Sequence, residues 1–341
     1  MTGATTGPTP ASGPTPASGP TPASGPTPAS GPTPASGPTP ASGPGGSIYD
    51  LGYQSYDGPR LGRQSAVRAL FANTVRACFG IGRGGRAKIA PFVLAALAIL
   101  PAVLAVGFSA LAAQAGPAGG VIEDASPIRY ETYHGFVAIL IMLFCGAQAP
   151  ELFGRDQRYS VLPLYFSRVL TRSDYALSKV GGLFVALLAV ELTPYVILFA
   201  GRVFVAPDPA VGLTDEIAFV PRFLLQGLLV AGLLGGLASL VAAWTPRRAY
   251  ATASIIALFI IPPIIVALIA NLASQDLARA IILFSPADIL DGTNAAIFGS
   301  IPDNPVVASV DLPDWAYVAA ALVGVVGSVG LTVRRYLRIA T

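Results

Sequence analysis

Residues 133–201 read YHGFVAILIMLFCGAQA, then PELFGRDQRYSVLPLYFSRVLTRSDYALSK, then VGGLFVALLAVELTPYVILFAG, so a charged run separates two apolar ones. Tyr133–Ala149 carries no charge, and Val180–Gly201 carries only Glu191. The run between them, Pro150–Lys179, holds eight charged residues: Glu151, Arg155, Asp156, Arg158, Arg168, Arg172, Asp174 and Lys179. This arrangement is typical of two membrane-spanning helices joined by a short basic connection.

The rest of the chain continues this pattern. Hydrophobic residues make up 53% and charged residues 11% of the 341 residues, whereas soluble domains carry about 25% charged residues. Six segments approach the roughly 20 apolar residues needed to cross a bilayer: Ile89–Ala113, Tyr133–Ala149, Val180–Gly201, Phe223–Trp244, Ala251–Asn271 and Trp315–Val333. Leu277–Leu290 is shorter and is interrupted by Arg279, Pro286 and Asp288, which favours a re-entrant or interfacial helix. We therefore predict an all-α integral membrane protein with six transmembrane helices, an N-terminal interface helix and a re-entrant segment before the last helix.

The basic residues predict the orientation, because Lys and Arg favour cytoplasmic loops close to the membrane. With the N-terminus inside, 17 of the 21 basic residues fall on the cytoplasmic side, and 12 of the 18 acidic residues fall on the other side. Both termini and the Pro150–Lys179 connection are therefore predicted to be cytoplasmic.

Three regions follow one another along the chain. Residues 1–47 contain six identical GPTPAS units from Gly7 to Ser42, and a segment so rich in proline and glycine is predicted to be a disordered arm. Residues 48–88 form a cytoplasmic leading segment that ends in an amphipathic interface helix. Residues 89–341 form the six-helix transmembrane domain.

The interface helix is predicted within Gly62–Gly82. Its apolar residues recur at helical spacing: Val67, Leu70, Phe71, Val75, Cys78 and Phe79. Arg63, Arg68 and Arg76 punctuate the same stretch. Such a helix lies in the inner interface with its arginines towards lipid phosphates or a partner, and the alternative is a surface anchor with no coupling role.

Several classes of chemistry lack their motifs in this sequence. The chain has one histidine, His134, and two cysteines, Cys78 and Cys145, which are expected to be small buried hydrophobes. It has no HExxH zinc motif and no GxxxxGK[ST] phosphate loop. We therefore expect no enzymatic activity, no metal or cofactor and no nucleic-acid partner, so any ATP and Mg²⁺ would be bound by another subunit.

Two polar residues within the spans are candidates for a transport path, Glu191 and Gln226. Glu191 is followed three residues later by Pro194, which would leave a backbone carbonyl unsatisfied. The acid is either a substrate or proton site or a structural or pore-lining polar group, and the sequence shows no intramembrane partner for it. Because polar residues in the spans are few, an apolar or amphipathic cargo is expected.

Small residues recur four apart in the fourth and sixth predicted spans. The fourth has Ala231, Gly235 and Ser239, and the sixth has Ala320, Gly324 and Ser328. This spacing predicts close packing of the two helix backbones against neighbours.

The Pro150–Lys179 connection resembles the cytoplasmic loop of type-2 ATP-binding cassette (ABC) permeases, the membrane subunits of bacterial exporters. The resemblance rests on the order of Arg155-Asp156 and Arg158, then a leucine-rich turn from Leu162 to Tyr165, then Ser167-Arg168 to Arg172, and finally Lys179. Val169 stands where the family usually has proline. The segment from Ile48 to Arg63 is similar to the corresponding segment of actinobacterial members.

This resemblance implies that the connection docks on a separate ATPase subunit. The contact residues would be Glu151, Arg155, Asp156, Arg158, Leu162, Ser167, Arg168 and Arg172, with Leu164, Tyr165 and Phe166 adding to the apolar centre. It also implies two permease copies, as a homodimer or heterodimer, in the cytoplasmic membrane of a bacterium. The alternatives are an ion-driven secondary transporter, an anchor or sensor subunit that moves no cargo, and a solvated loop that only fixes topology.

Overall fold

The computed structural model describes residues 61–116, 128–167 and 169–339, together with residues 3, 58 and 120. The chain divides into two units, Met1–Gly58 and Pro59–Thr341. The predicted repeat arm, apart from residue 3, and the leading segment up to residue 57 lie outside the described residues. The second unit is taken up by itself below.

The described part of the second unit is helical and contains no β-strand, which confirms the predicted all-α class. Two 3-10 turns accompany the α-helices, at Ile217–Phe219 and Ile282–Phe284. The α-helices are, in chain order, α1 (Arg63–Cys78), α2 (Arg86–Gln114), α3 (Tyr130–Arg158), α4 (Leu162–Phe166), α5 (Arg172–Val205), α6 (Pro209–Glu216), α7 (Val220–Trp244), α8 (Arg248–Leu272), α9 (Gln275–Ile281), α10 (Pro286–Phe298), α11 (Pro305–Val310) and α12 (Asp314–Leu337).

Six helices are long and apolar enough to cross a membrane: α2, α3, α5, α7, α8 and α12. Each contains one of the six predicted apolar segments and extends beyond it, because the helical hydrogen bonds continue into the charged flanks. At 1.5 Å per residue, the 29 residues of α3 span about 43 Å, more than the hydrocarbon core of about 30 Å. These six helices make the chain a multi-pass membrane protein.

Helix α7 lies at the centre of the bundle, because its small residues let its neighbours approach closely. A Cβ added to Gly236 would lie 2.2 Å from Ser328 Oγ of α12, and one added to Gly235 would lie 3.0 Å from Leu187 of α5. Gly324 of α12 is packed in the same way against Leu233. The small-residue spacing in the fourth and sixth spans therefore marks real contact surfaces.

A sharply bent segment precedes the last helix. The pieces Gln275–Phe284 and Pro286–Phe298 meet at 94°. Ser285 caps α10 by accepting a hydrogen bond from the backbone N–H of Asp288 (3.5 Å), and Gly299, at φ +70°, ends it. A proline that cannot continue α9 and an N-cap serine account for this bend, which lies within the run Leu277–Leu290.

The two ends of the bundle differ in composition. At one end, called here the basic end, α1, the last turns of α3, α4, the first turns of α5 and the last turns of α12 meet, as in the contact between the Tyr175 and Tyr336 rings (5.2 Å). At the other end, called the acidic end, α3 begins beside α10 and the segment 299–304, where Asn294 donates to the Glu131 carbonyl. The described residues of the predicted Pro150–Lys179 connection lie at the basic end, as the pairs of Glu151 with Arg83 and of Lys179 with Asp156 show.

Candidate functional site

The charged residues after the second span belong to a helix, because α3 continues through Pro150 to Arg158. Pro150 has no N–H, so the carbonyl four residues earlier, on Gly146, loses its helical donor. The Thr252 hydroxyl of α8 donates to that carbonyl instead (3.0 Å). Glu151, Arg155 and Arg158 consequently lie on the last turns of α3 and not in the flexible loop that hydropathy indicates.

Glu151 is the acidic centre of an arginine cluster. Its carboxylate pairs with Arg83 of the α1–α2 connection (3.3 Å) and with Arg248 at the start of α8. Arg155 and Arg158 are exposed on the same helical extension, and neither forms an ion pair with another described residue. The cluster therefore carries a net positive charge and has two arginines available to a partner.

Asp156 faces inward, in contrast to its neighbours. Its Oδ2 accepts from Lys179 Nζ (2.8 Å) and from the Tyr175 hydroxyl (2.7 Å). Lys179 also donates to the Leu152 carbonyl (3.1 Å), and both charged side chains are largely buried. Asp156 thus joins α3 to α5 within the chain, although it was predicted as a docking residue.

The short helix α4 divides its apolar residues between the core and the surface. Leu162 is 7% exposed and packs into the protein, whereas Leu164 is 69% exposed. Ser167 donates to the Leu164 carbonyl (3.1 Å) and ends the helix. Arg172 donates to the Leu337 carbonyl of α12 (3.2 Å) and lies over the Phe166 ring. Arg168 lies outside the described residues.

A groove of about 900 Å³ runs between these elements at the basic end. One wall is α1 and the α1–α2 connection, with Asn73, Ile81 and Arg83, and the other is formed by the end of α3 and by α4. Partial burial, together with the nearby Asp156 carboxylate, raises the pKa of Tyr165 on the α4 wall. Five of the predicted residues line this wall: Glu151, Arg155, Asp156, Leu164 and Tyr165. Four others do not line the groove: Arg158, Leu162, Ser167 and Arg172.

A tight turn positions the wall that sequence analysis missed. Gly80 has φ +67°, and a Cβ there would lie 2.6 Å from the Ala87 carbonyl oxygen. Only glycine allows this approach, which folds the chain back and sets Arg83 beside Glu151. The four glycines among residues 80–85, interrupted only by Ile81 and Arg83, are the signal for such a turn.

Helix α1 packs along α5 through Leu70, Thr74 and Cys78, and a Cβ on Gly182 would lie 2.5 Å from Thr74. Arg63 binds the Asp174 carboxylate with Nε and Nη2, both at 2.8 Å. These hydrogen bonds raise the pKa of the Arg63 guanidinium above its ordinary value. Phe71 contacts Gly181, while Arg68 and Arg76 remain exposed.

The predicted polar residues of the spans lie away from this groove. Glu191 is fully buried in α5, with Oε1 3.4 Å from Nδ1 of His134 on α3. Gln226 is fully buried in α7, and its amide group donates to the Leu290 carbonyl of α10 (3.5 Å). Glu191 therefore has a partner, contrary to the expectation that it had none. Sequence spacing gave no signal for this pair, because its members are 57 residues apart.

No protein-family model matches this chain, and no curated protein matches it in sequence. The described residues also contain no group of three or more His, Cys, Asp or Glu side chains arranged to hold a metal ion.

Proposed function

We propose that this chain is the permease subunit of an ATP-driven ABC exporter and couples to a separate ATPase through the groove at its basic end. The observation that carries the proposal is a groove lined by Arg155 and flanked by Arg158, two exposed arginines at the end of a membrane-spanning helix that form no ion pair with another described residue. ATP and Mg²⁺ would be bound by the ATPase.

The chemistry of the groove favours a protein partner with acidic and apolar residues. Leu164 and Tyr159 are 69% and 66% exposed at its edge, and large exposed apolar side chains next to arginines are typical of interaction surfaces. Glu151 holds Arg83 and Arg248 in fixed positions, so the positive rim is preorganised. A partner segment with an apolar tip and flanking carboxylates would complement it.

The remaining parts of the proposal concern the membrane. The basic end would face the cytoplasm of a bacterium, with both termini on that side. Helix α1 would lie in the inner interface with Arg68 and Arg76 towards lipid, and the bent pair of α9 and α10 would be re-entrant from the other side. A second copy of the permease, identical or not, would complete a path for an apolar or amphipathic cargo.

Charge reversal at Arg155 tests the docking role. The protein would be co-expressed with an ABC ATPase encoded beside it, and co-purification would be compared for the wild type and for Arg155→Glu. We expect loss of the ATPase with the variant, because a carboxylate would face the partner's acidic rim. Arg338→Glu, an exposed residue at the same end and outside the groove, is the matched control and should retain the ATPase. Equal recovery with both variants would refute the docking site.

The buried pair of His134 and Glu191 favours one other class, an ion-driven secondary transporter, because such proteins place ionisable groups inside the membrane. Transport in proteoliposomes separates the classes. Uptake that needs the ATPase and ATP supports the exporter, and uptake that is driven by a proton gradient without the ATPase supports the alternative. A sensor or anchor subunit would transport nothing under either condition.

A further inference from the structure

The acidic end of the bundle contains one buried basic side chain among several acids. His134, the single histidine of the chain, lies in the second turn of α3 and is 4% exposed. Its Nδ1 is 3.4 Å from Oε1 of Glu191 on α5, which is fully buried. A histidine and a carboxylate at this distance and depth can share a proton.

Two more carboxylates approach His134, one from α10 and one from the segment that follows it. A Cβ added to Gly135 would lie 2.8 Å from Asp303 Oδ2, so this carboxylate touches α3 at the residue next to His134. Asp291 of α10 accepts a hydrogen bond from the Asn304 backbone with its Oδ2 (3.1 Å). Both carboxylates lie close enough to the imidazole to be attracted by it when it is charged. His134 therefore lies near acids from α5, from α10 and from the segment that follows α10.

These acids are not fully satisfied by hydrogen bonds within the protein. Glu191 Oε2 is buried and has no hydrogen-bond partner among the described residues. The same holds for Oδ2 of Asp288, whose Oδ1 accepts from Asn304 (2.8 Å). A buried carboxylate without donors is costly while it is charged, so the cluster gains by holding a proton.

The other charged groups on the elements around His134 are acidic, exposed, engaged elsewhere or at the basic end. On α3 itself Glu131 adds a further acid, and Arg129 before it is exposed. Tyr195 of α5 faces Glu191, and Arg202 of that helix pairs with Glu216 (3.9 Å). Arg222 of α7 lies over Phe219. The charged residues of α2 and α8, which also pack on α3, are Arg86, Lys88 and Arg248, all at the basic end.

We propose that His134, Glu191, Asp291 and Asp303 form a proton-binding site that fastens the segment from α10 to α11 onto α3 and α5. With the proton bound, imidazolium at His134 attracts the carboxylates of all three partners. Without it, Glu191, Asp291 and Asp303 repel one another, and the contact between Asp303 and Gly135 loosens. This site shares no residue with the proposed docking groove, which lies at the opposite end.

The sign of the pH dependence follows from the charges that meet at His134. Asp303 is exposed, so protons reach the cluster there. A proton held among Glu191, Asp291 and Asp303 is bound more tightly in the fastened arrangement than in the released one, which moves Asp303 away, so the fastened arrangement is favoured at low pH. The segment is therefore fastened in acid and released as the pH rises.

Spin-label distances measure the release directly. Labels at Ile301→Cys and Phe204→Cys, two exposed positions at this end, would be placed in full-length protein in nanodiscs, with Cys78 and Cys145 replaced by Ala. Distances would be recorded from pH 5 to pH 8.5. We expect a short population at pH 5 and a longer one at high pH, with their ratio changing by up to about tenfold per pH unit, the limit for one proton.

Three variants decide the assignment. His134→Gln should abolish the pH dependence, and Gly135→Ala, whose Cβ displaces Asp303, should give the long population at every pH. Asp276→Asn, an exposed acid on α9, is the matched control and should keep the wild-type profile. A distance that does not change with pH in the wild type overturns the proposal. So does a profile that persists in His134→Gln, or, if that variant does not fold, in Glu191→Gln.

Discussion

The pair of Lys179 and Asp156 should be a principal determinant of stability at the basic end. The charged atoms are 2.8 Å apart, and the side chains are 7% and 13% exposed. With an effective dielectric constant of about 20, their attraction is about 6 kcal/mol, part of which is offset by the cost of removing both charges from water. Lys179→Met leaves Asp156 buried with only the Tyr175 hydroxyl, and we expect a loss of about 3–5 kcal/mol in the free energy of unfolding.

The assay is equilibrium unfolding by SDS in mixed micelles, followed by the fluorescence of Trp244 and Trp315. A double-mutant cycle adds Asp156→Asn, which keeps an acceptor for Tyr175, and the combined variant. The combined variant should be more stable than the sum of the single losses predicts, because it leaves no unpaired buried charge. Arg158→Ala, exposed and unpaired, is the control and should cost under about 0.5 kcal/mol. Single losses below about 1 kcal/mol, or additive losses, would refute the interpretation of a desolvated pair.

Three further predictions concern packing and reactivity. Gly236→Ala should destabilise the α7–α12 contact by about 1–3 kcal/mol because its Cβ meets Ser328 Oγ, and Ser328→Gly should restore stability in the same unfolding assay; failure of the rescue would contradict the contact. Thr252→Val removes the donor to the Gly146 carbonyl and should cost about 1 kcal/mol, whereas Thr193→Val, whose hydroxyl bonds within its own helix, should cost less. Burial raises the pKa of Cys78 to about 12, so at pH 8 a maleimide should label it only after SDS unfolding; labelling of the native protein would disprove its burial.

Hydropathy predicted the number of apolar helices but not their ends. The sequence predicts a span over Tyr133–Ala149, whereas α3 continues to Arg158. Mean hydropathy falls at the first charged residues, but the backbone hydrogen bonds of the helix continue through them. A proline at position 150 would also be expected to end or kink the helix. Its effect is cancelled by Thr252, a residue 106 positions away from the carbonyl that it binds. A replacement hydrogen bond of this kind depends on a tertiary contact and leaves no local pattern in the sequence.

The candidate sites were predicted unevenly for the same reason. The arginines of the basic end were identified, since like charges next to an apolar run are visible in the sequence. The inward direction of Asp156 was not, because it depends on Lys179 and Tyr175 of another helix. The bond between Arg63 and Asp174 did have a signal. Thr171-Arg-Ser-Asp174 is a capping box. It holds the Asp174 carboxylate on the first turn of α5, where α1 packs against that helix.

The continuity of α3 has a mechanical consequence. Arg155 at the groove and His134 in the proton site lie on one unbroken helix, 21 residues and therefore about 32 Å apart along its axis. Because the Thr252 hydroxyl replaces the donor that is lost at Pro150, α3 behaves as a stiff rod. A partner that tilts one end of this helix must also move the other end. The two sites share no contact, but a tilt of α3 would move both of them. Binding at one site would then change the free energy of binding at the other.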